Sequence, residues 1–328
     1  MRTGFVFGKF MPLHKGHIAL IEFALKNCEK LYVVICFTGK EPINYLIRKQ
    51  WLYQFFEDTP SVTLVSFGYD EKDLPNTSVS SMEASKLWAG AFKKLLPDAD
   101  IVFTSEKYGD YVAKYMGIQH LCFDEMRNAV PVSGSAIRKY PFRYWEYMPS
   151  IVRSFFTRKV CIVGTESTGK STLTKRLAEH YKTNYVPEMA REIIEETENC
   201  NYDDLLKIAE LHAKTIFESI LVANKLLIVD TDLNITKSYS QFLFNKELNV
   251  DPWIKEANQF DLYLFLEPDC DYVQDGTRLS IVERNKLSDQ HKRFFLTQNI
   301  SFTPISGDWE TRFIESCKII DNTFSSLF

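Results

Sequence analysis

The apolar positions of this chain repeat one pattern twice. A short apolar run, a turn containing glycine and then apolar positions at helical spacing occur first at Thr3–Phe7, GKFMPLHKGH and Ile18–Cys28. They occur again at Lys159–Val163, GTESTGKST and Leu173–Tyr181. Strand, phosphate-binding turn and helix form the opening unit of an α/β nucleotide-binding domain. Further β-rich runs follow the first start at Leu31–Phe37, Val62–Phe67 and Asp100–Phe103. Others follow the second at Tyr185–Val186, Leu226–Val229 and Asp261–Phe265. Short, nearly continuous apolar runs with helical stretches between them predict buried parallel sheets. The expected fold class is therefore α/β, with two doubly wound parallel-sheet domains.

The junction, Tyr140–Arg158, is aromatic and basic and carries Pro141 and Pro149, unlike a flexible Gly/Ser linker. It predicts a boundary near Phe155, giving domains 1–155 and 156–328. Two domains also suit a length of 328 residues.

Composition narrows the class without changing that picture. Hydrophobic residues make up 45% and charged residues 25%, which disfavours disorder and low complexity. The formal net charge is −4, so phosphate must be bound by local sites and not by overall charge. The seven cysteines form no C-x-x-C pair and no zinc-finger spacing with histidine, which predicts reduced thiols in a cytoplasmic protein. The N-terminus shows no signal-peptide h-region, and no apolar run approaches the roughly 20 residues of a membrane span, so no membrane insertion is expected.

The first glycine turn carries His14, Lys15, Gly16 and His17 after Gly8, Lys9 and Phe10. Two histidines three apart share one side of a helix start, where backbone N–H groups already favour anions. Gly16 lets the backbone approach a nucleotide closely. Far downstream, Ser133, Gly134 and Ser135 precede Arg138, which suits a second helix start holding a triphosphate with an arginine on its outer oxygens. The two segments together suit attack of one phosphate on the α-phosphate of a nucleoside triphosphate, a reaction governed by charge stabilisation. A lone H-x-G-H is a weak signal, and the downstream SGSAIR strengthens it.

The second turn matches G-x-x-x-x-G-K-[ST] over Gly164, Thr165, Glu166, Ser167, Thr168, Gly169, Lys170 and Ser171, with Thr172 next. It follows a strand run and opens a helix, the context that gives this motif its meaning. Backbone N–H groups would cradle the phosphates of ATP, Lys170 would reach the β- and γ-phosphates, and Ser171 would ligate Mg²⁺. The run Leu226–Val229 ends in Asp230, Thr231 and Asp232. Asp230 is expected near Mg²⁺, and Asp230 and Asp232 are candidates for binding the substrate, against the alternative that both only cap the next element. Glu188 and Arg191 after Tyr185–Val186 are candidates for gripping an acceptor's hydroxyls. Gln274–Arg278, with Glu283 and Arg284, suggests an arginine-bearing lid over the transferring phosphoryl.

The first constellation resembles the HxGH nucleotidylyltransferase superfamily, a Rossmann-like fold, with Ser135 where that family often has threonine. The resemblance implies that His14, His17 and Arg138 stabilise the α-phosphate and the departing pyrophosphate. It also implies that Lys9 and Lys15 contact phosphates, within an ATP site running over Gly8–Phe10, His14–His17 and Ser133–Arg138. The fusion of such a domain to a P-loop kinase resembles the NadR-type bifunctional proteins of NAD synthesis. The stretches that carry this are GKFMPLHKGH, TSEKYGDYVA, RNAVPVSGSAIR, FRYWEYMPSIVR, CIVGTESTGKSTL, VPEMARE, IVDTD and EPDCDYVQDGTR. The resemblance implies a ribosylnicotinamide kinase in 156–328 and a nicotinamide mononucleotide adenylyltransferase in 1–155. ATP, nicotinamide riboside, nicotinamide mononucleotide and NAD would be the partners, with Mg²⁺ as cofactor. It further implies acceptor roles for Glu188 and Arg191, with Met189 replacing the family's aromatic. Asp230 would sit near Mg²⁺ and act as base, and Arg278 would meet the phosphoryl.

Tyr272 stands near the place of the family's Pro-Trp pair and is a candidate for stacking on nicotinamide. Trp88 is a second candidate, against a plain core tryptophan. Arg48 could meet a phosphate or be a solvated helix arginine. Some relatives carry a DNA-binding domain before the first strand. This chain begins two residues before its own, so no nucleic-acid partner is expected. Homo-oligomer formation is left open. Two other readings stand beside the enzyme: an NAD sensor or transport-coupling protein with decayed catalysis, and the same architecture with a different nucleoside acceptor.

Overall fold

The computed structural model describes residues 2–75, 82–126, 128–193, 200–270 and 280–327. The chain divides into two compact units, Met1–Arg153 and Ser154–Phe328. In the first, the elements run β1 (Thr3–Gly8), α1 (Lys15–Leu25), β2 (Lys30–Phe37), α2 (Tyr45–Phe56), β3 (Val62–Gly68) and α3 (Met82–Leu95). They continue with β4 (Ile101–Thr104), α4 (Tyr108–Met116), β5 (Gln119–Cys122), α5 (Gly134–Lys139) and α6 (Ser150–Phe156), the last crossing the division. The strands form one parallel sheet in the order β3-β2-β1-β4-β5. The order reverses beside β1, so the turn after β1 emerges where open α/β sheets bind their ligands. Phe5, Val34 and Val102 from the central strands pack with Phe92 of α3 and Val112 of α4 in one core cluster.

The second unit runs β6 (Arg158–Val163), α7 (Lys170–His180), β7 (Tyr185–Val186), α8 (Ala190–Ile193), α9 (Tyr202–Val222) and β8 (Leu226–Asp230). It continues with α10 (Leu233–Phe244), α11 (Pro252–Ala257), β9 (Leu262–Leu266), α12 (Ile281–Thr297), β10 (Thr303–Ile305) and α13 (Trp309–Thr323). Its sheet is again all parallel, in the order β10-β9-β6-β8-β7. Every residue of β8 is buried, as expected of a strand covered on both faces by crossover helices.

Both sheets are α/β as expected, and eight strands lie where the apolar runs place them. Two strands lack such a run, β5 and β10. Both are edge strands, of four and three residues, and the β5 sequence QHLC is half exposed, so burial writes no continuous apolar signal there. Among the described residues no helix is long and apolar enough to cross a membrane. All seven cysteines are unpaired thiols.

Candidate phosphate-binding sites

In the first unit, the turn after β1 is filled by rings. Phe10 adopts a left-handed backbone (φ 46°) and is 2% exposed, so its side chain is driven under the turn. His17 meets the edge of Phe10 at 5.0 Å and stacks on His14 at 3.7 Å with the planes 22° apart. His14 is the N-cap of α1. Its carbonyl accepts from His17 N at 2.8 Å and Ile18 N at 3.1 Å, while its side chain makes no capping bond. A Cβ on Gly16 would lie 3.1 Å from the His14 ring, so glycine is what allows that ring to lie against the first turn.

The downstream half closes on this turn. Ser133 caps α5 by accepting from Ala136 N at 3.2 Å and lies 3.1 Å from the Ser135 hydroxyl. A Cβ on Gly134 would sit 2.6 Å from the Met11 carbonyl oxygen, and Arg138 donates to that same oxygen. Partial burial lowers the Arg138 pKa from its ordinary value. The structure thus brings His14, His17, Gly16, Ser133, Gly134, Ser135 and Arg138 together.

Lys9 is placed differently. Its ammonium lies 3.3 Å from Glu41 and 4.0 Å from Glu71. Glu41 also accepts from Thr38 N at 3.0 Å and Gly39 N at 3.2 Å; burial pushes its pKa up, but the bonds from Thr38 and the charge of Lys9 outweigh it and leave the pKa lowered. Lys15 is exposed. Arg48 is neither solvated nor aimed at open space. It is fully buried, donates to the carbonyls of Lys9 and Cys36, and pairs with Glu41 at 3.5 Å. Trp88 belongs to an aromatic cluster, stacked on Phe7 at 6.4 Å and edge-on to Tyr69 at 4.8 Å, with its Nε1 donating to Pro75 O at 3.2 Å.

In the second unit the turn is made of backbone. Gly164 (φ 144°) and Gly169 (φ 83°) adopt positive-φ backbone conformations, and Ser167 (φ 58°) lies between them. A Cβ on Gly164 would come within 2.8 Å of Leu266 O, and one on Gly169 within 2.0 Å of the Trp309 ring. Lys170 opens α7, is 8% exposed and donates to Thr165 O at 3.0 Å, and Thr168 Oγ1 donates to the same oxygen at 2.8 Å. Asp230 ends β8, is 1% exposed and pairs in register with Ile162 on β6. That register sets its carboxylate at the same sheet end as the turn from which α7, with Ser171 in its first turn, begins. Among the described residues no cluster of three or more His, Cys, Asp or Glu side chains could hold a metal ion. A hydroxyl and one carboxylate are nevertheless an ordinary protein share for Mg²⁺, whose other ligands are phosphate oxygens and water.

Asp232 has other work. It caps α10 by accepting from Ile235 N at 2.9 Å, and it accepts from Asn234 Nδ2 at 2.6 Å and the Tyr263 hydroxyl at 2.9 Å. Burial pushes its pKa up. Glu188 follows β7, half-buried, and the next residue, Met189, is buried and accepts from Thr215 Oγ1 at 3.7 Å. Arg284 differs from the expectation of a lid. It lies in the first turn of α12, is 3% exposed, and donates to Pro268 O at 2.8 Å, because a Ser280–Glu283 capping box starts the helix just before it. Tyr272 and Arg278 lie outside the described residues, as does the side chain of Arg191.

Two buried histidines had no motif to announce them. His291 is fully buried, its Nδ1 lies 2.8 Å from the Ser238 hydroxyl, and burial reinforced by the charge of Lys170 takes its pKa down to about 3. Burial takes His212 down to about 4, against the opposing pull of the Asp230 backbone and Glu188. Arg312 also went unread. It is 1% exposed and donates to the carbonyl of Thr168 in the second turn. The available signal is faint: an arginine in the buried stripe Arg312, Ser316, Ile320 of α13.

A protein described as the trifunctional NAD biosynthesis/regulator protein NadR of Escherichia coli strain K12 is 29% identical over 343 aligned positions, covering 97% of this chain and 82% of that protein. The chain is a homologue of NadR. An AAA domain model matches residues 159–312, which contain the second turn. A crystal structure of NadR in complex with NR superposes with a TM-score of 0.80 at 20% identity, covering 98% of this chain and 96% of that one. A second, of NadR with NAD and AMP-PNP, gives 0.79 at 19% identity, covering 99% and 96%. NadR and this chain thus share both parallel-sheet units along nearly their whole length.

Proposed function

We propose that this chain makes NAD in two steps, phosphorylating nicotinamide riboside in residues 156–328 and adenylylating the product in residues 1–155. One observation carries the reading: a NadR homologue has, in one chain, a formed G-x-x-x-x-G-K-[ST] turn and a His14–His17 stack on a turn whose Met11 carbonyl Arg138 bonds.

In the kinase step, the 5′-hydroxyl oxygen of the riboside attacks the γ-phosphorus of ATP and ADP leaves. Asp230 takes the hydroxyl proton, and Glu188 and Arg191 grip the ribose. Lys170 moves its donors from Thr165 O to the β- and γ-phosphate oxygens. Ser171 and Asp230 would hold Mg²⁺, which when bound offsets charge on those oxygens. Asp232, already engaged by Ile235, Asn234 and Tyr263, fixes the end of β8 that carries Asp230.

In the transferase step, a phosphate oxygen of the mononucleotide attacks the α-phosphorus of a second ATP and pyrophosphate leaves. The attacking group is already an anion, so no protein base is required. His14 and His17, with the N–H groups of α1, donate to the α-phosphate, and Arg138 neutralises the departing pyrophosphate. Intact catalytic side chains in both turns favour an enzyme over a sensor with decayed sites.

Purified protein incubated with nicotinamide riboside, ATP and Mg²⁺, with products followed by chromatography, tests this. Mononucleotide appearing first and then passing into NAD is the expected course. Mononucleotide that accumulates without NAD would refute the transferase assignment. NAD formed from supplied mononucleotide but never from the riboside would refute the kinase acceptor.

A further inference from the structure

In the second unit, three loops leave the same end of three neighbouring strands: the phosphate turn after β6, the segment after β9, and the turn after β10. One side chain reaches all three. The Arg312 guanidinium donates from Nη1 to Thr168 O at 2.8 Å, from Nη2 to Glu267 O at 2.9 Å, and from Nε to Gly307 O at 2.7 Å. Its charge is balanced by Asp269, which also accepts from Gly307 N at 2.8 Å. The Glu267 carboxylate is not available for that purpose, since it pairs with Lys292 at 2.5 Å. Trp309, one turn earlier on α13, lays its ring against Gly169, while the Arg312 guanidinium lies 5.7 Å from that ring.

We infer that Arg312 is a positioning residue for ATP in the second unit: it sets the Thr168–Gly169 backbone in the shape that cradles the phosphates. The inference rests on the kinase reading above. The physical argument is one of geometry. Thr168 and Gly169 directly precede Lys170, and their peptide orientation decides where the turn's N–H groups aim. A planar guanidinium with fixed donor directions can define three carbonyls at once, which a single flexible ammonium cannot. Gly169, held at φ 83°, has little intrinsic reason to stay there without such a constraint.

The test uses the full chain with Arg312→Met, Arg312→Lys and Asp269→Asn. Arg312→Met should raise the KM for ATP in riboside phosphorylation by about 10- to 100-fold, from loss of bonds to a charged donor. The KM for nicotinamide riboside should move less than about 3-fold. Arg312→Lys should recover only part of the loss, and Asp269→Asn, which keeps the carbonyl bonds, should fall nearest to wild type. NAD formation from supplied mononucleotide reports on the first unit and should not change. Loss of active protein with both KM values unchanged would mean that Arg312 only stabilises the fold, and the inference would be wrong. Full recovery by lysine would equally overturn the argument from the planar fork. If wild type phosphorylates no riboside, the kinase reading fails by itself. Calorimetry of Mg²⁺·AMP-PNP at the site lost in Lys170→Ala then decides Arg312 separately: unchanged affinity in Arg312→Met refutes it, and a 10-fold or greater weakening supports it.

Discussion

The two phosphate turns share a plan and differ in material. Each follows the first strand of a parallel sheet and opens a helix. In the first, shape comes from rings: Phe10 underneath, His17 on its edge, His14 stacked on His17. In the second, shape comes from backbone: two glycines at positive φ and a carbonyl, Thr165 O, that accepts from both Lys170 and Thr168. The distant cation also acts differently. Arg138 is exposed and touches Met11 O at the turn's rim, whereas Arg312 is buried and holds Thr168 O from behind. A turn built of side chains presents its chemistry outward on those side chains. A turn built of backbone must be braced, because its chemistry is the direction of its own N–H groups.

The largest expected effects separate the two turns outright. Lys170→Ala should cut riboside phosphorylation by at least about 10²-fold while sparing NAD formation from supplied mononucleotide, and His17→Ala should do the reverse. Progress curves for each half-reaction check this. If either substitution removed both activities in folded protein, the two turns would not be independent sites.

Glycine-to-alanine changes sharpen the comparison at smaller scale. In Gly169→Ala the new methyl would meet the Trp309 ring at 2.0 Å on a backbone at φ 83°. The strain of a left-handed alanine alone costs about 1–2 kcal/mol, and the collision adds to it, so phosphorylation should fall by more than about 10-fold. In Gly16→Ala the methyl meets only the edge of His14, at 3.1 Å, and the ring can shift by a few tenths of an ångström. Alanine also favours the first turn of α1 by up to about 1 kcal/mol. Thermal stability should therefore hold or rise while adenylyl transfer drops by less than Gly169→Ala costs the kinase. Equal losses would mean that the first turn also depends on its backbone.

How much of this was legible depends on where the determining groups sit. The central strands announce themselves because both faces are buried, as in LYVVICF and LLIVD. Edge strands β5 and β10 do not, since a half-exposed QHLC or TPI needs no apolar run. The residues of each turn were readable because a glycine, a lysine or a histidine at fixed spacing is demanded locally. The roles of Arg48 and Arg312 were not, although both occupy the buried stripe of an otherwise ordinary helix. Their reason for being there is a set of main-chain carbonyls, most of them distant in sequence, and carbonyls carry no residue-specific mark. Arg284 misled for the converse reason: Ser280 and Glu283 spell a capping box, and the helix they start carries the arginine inward onto Pro268 O.

A last effect concerns acid, and it bears on stability and not on turnover. His291 and His212 are held neutral, with pKa values near 3 and 4, by burial in the unit that contains the second turn. An unfolded histidine takes up its proton near pH 6.5. Between that value and the folded one, the unfolded chain therefore binds more protons than the folded chain. Stability is complete above about pH 6.5 and declines as pH falls, by about 1.4 kcal/mol per pH unit for each histidine, levelling off below the folded values. Melting followed between pH 7 and 5 should show the second unit losing stability first. His291→Asn, which can still bond to Ser238 but does not titrate in this range, should flatten that decline by about half. A decline that His291→Asn leaves unaltered would place the acid sensitivity elsewhere, and the difference between the two turns would then lie only in how each is shaped.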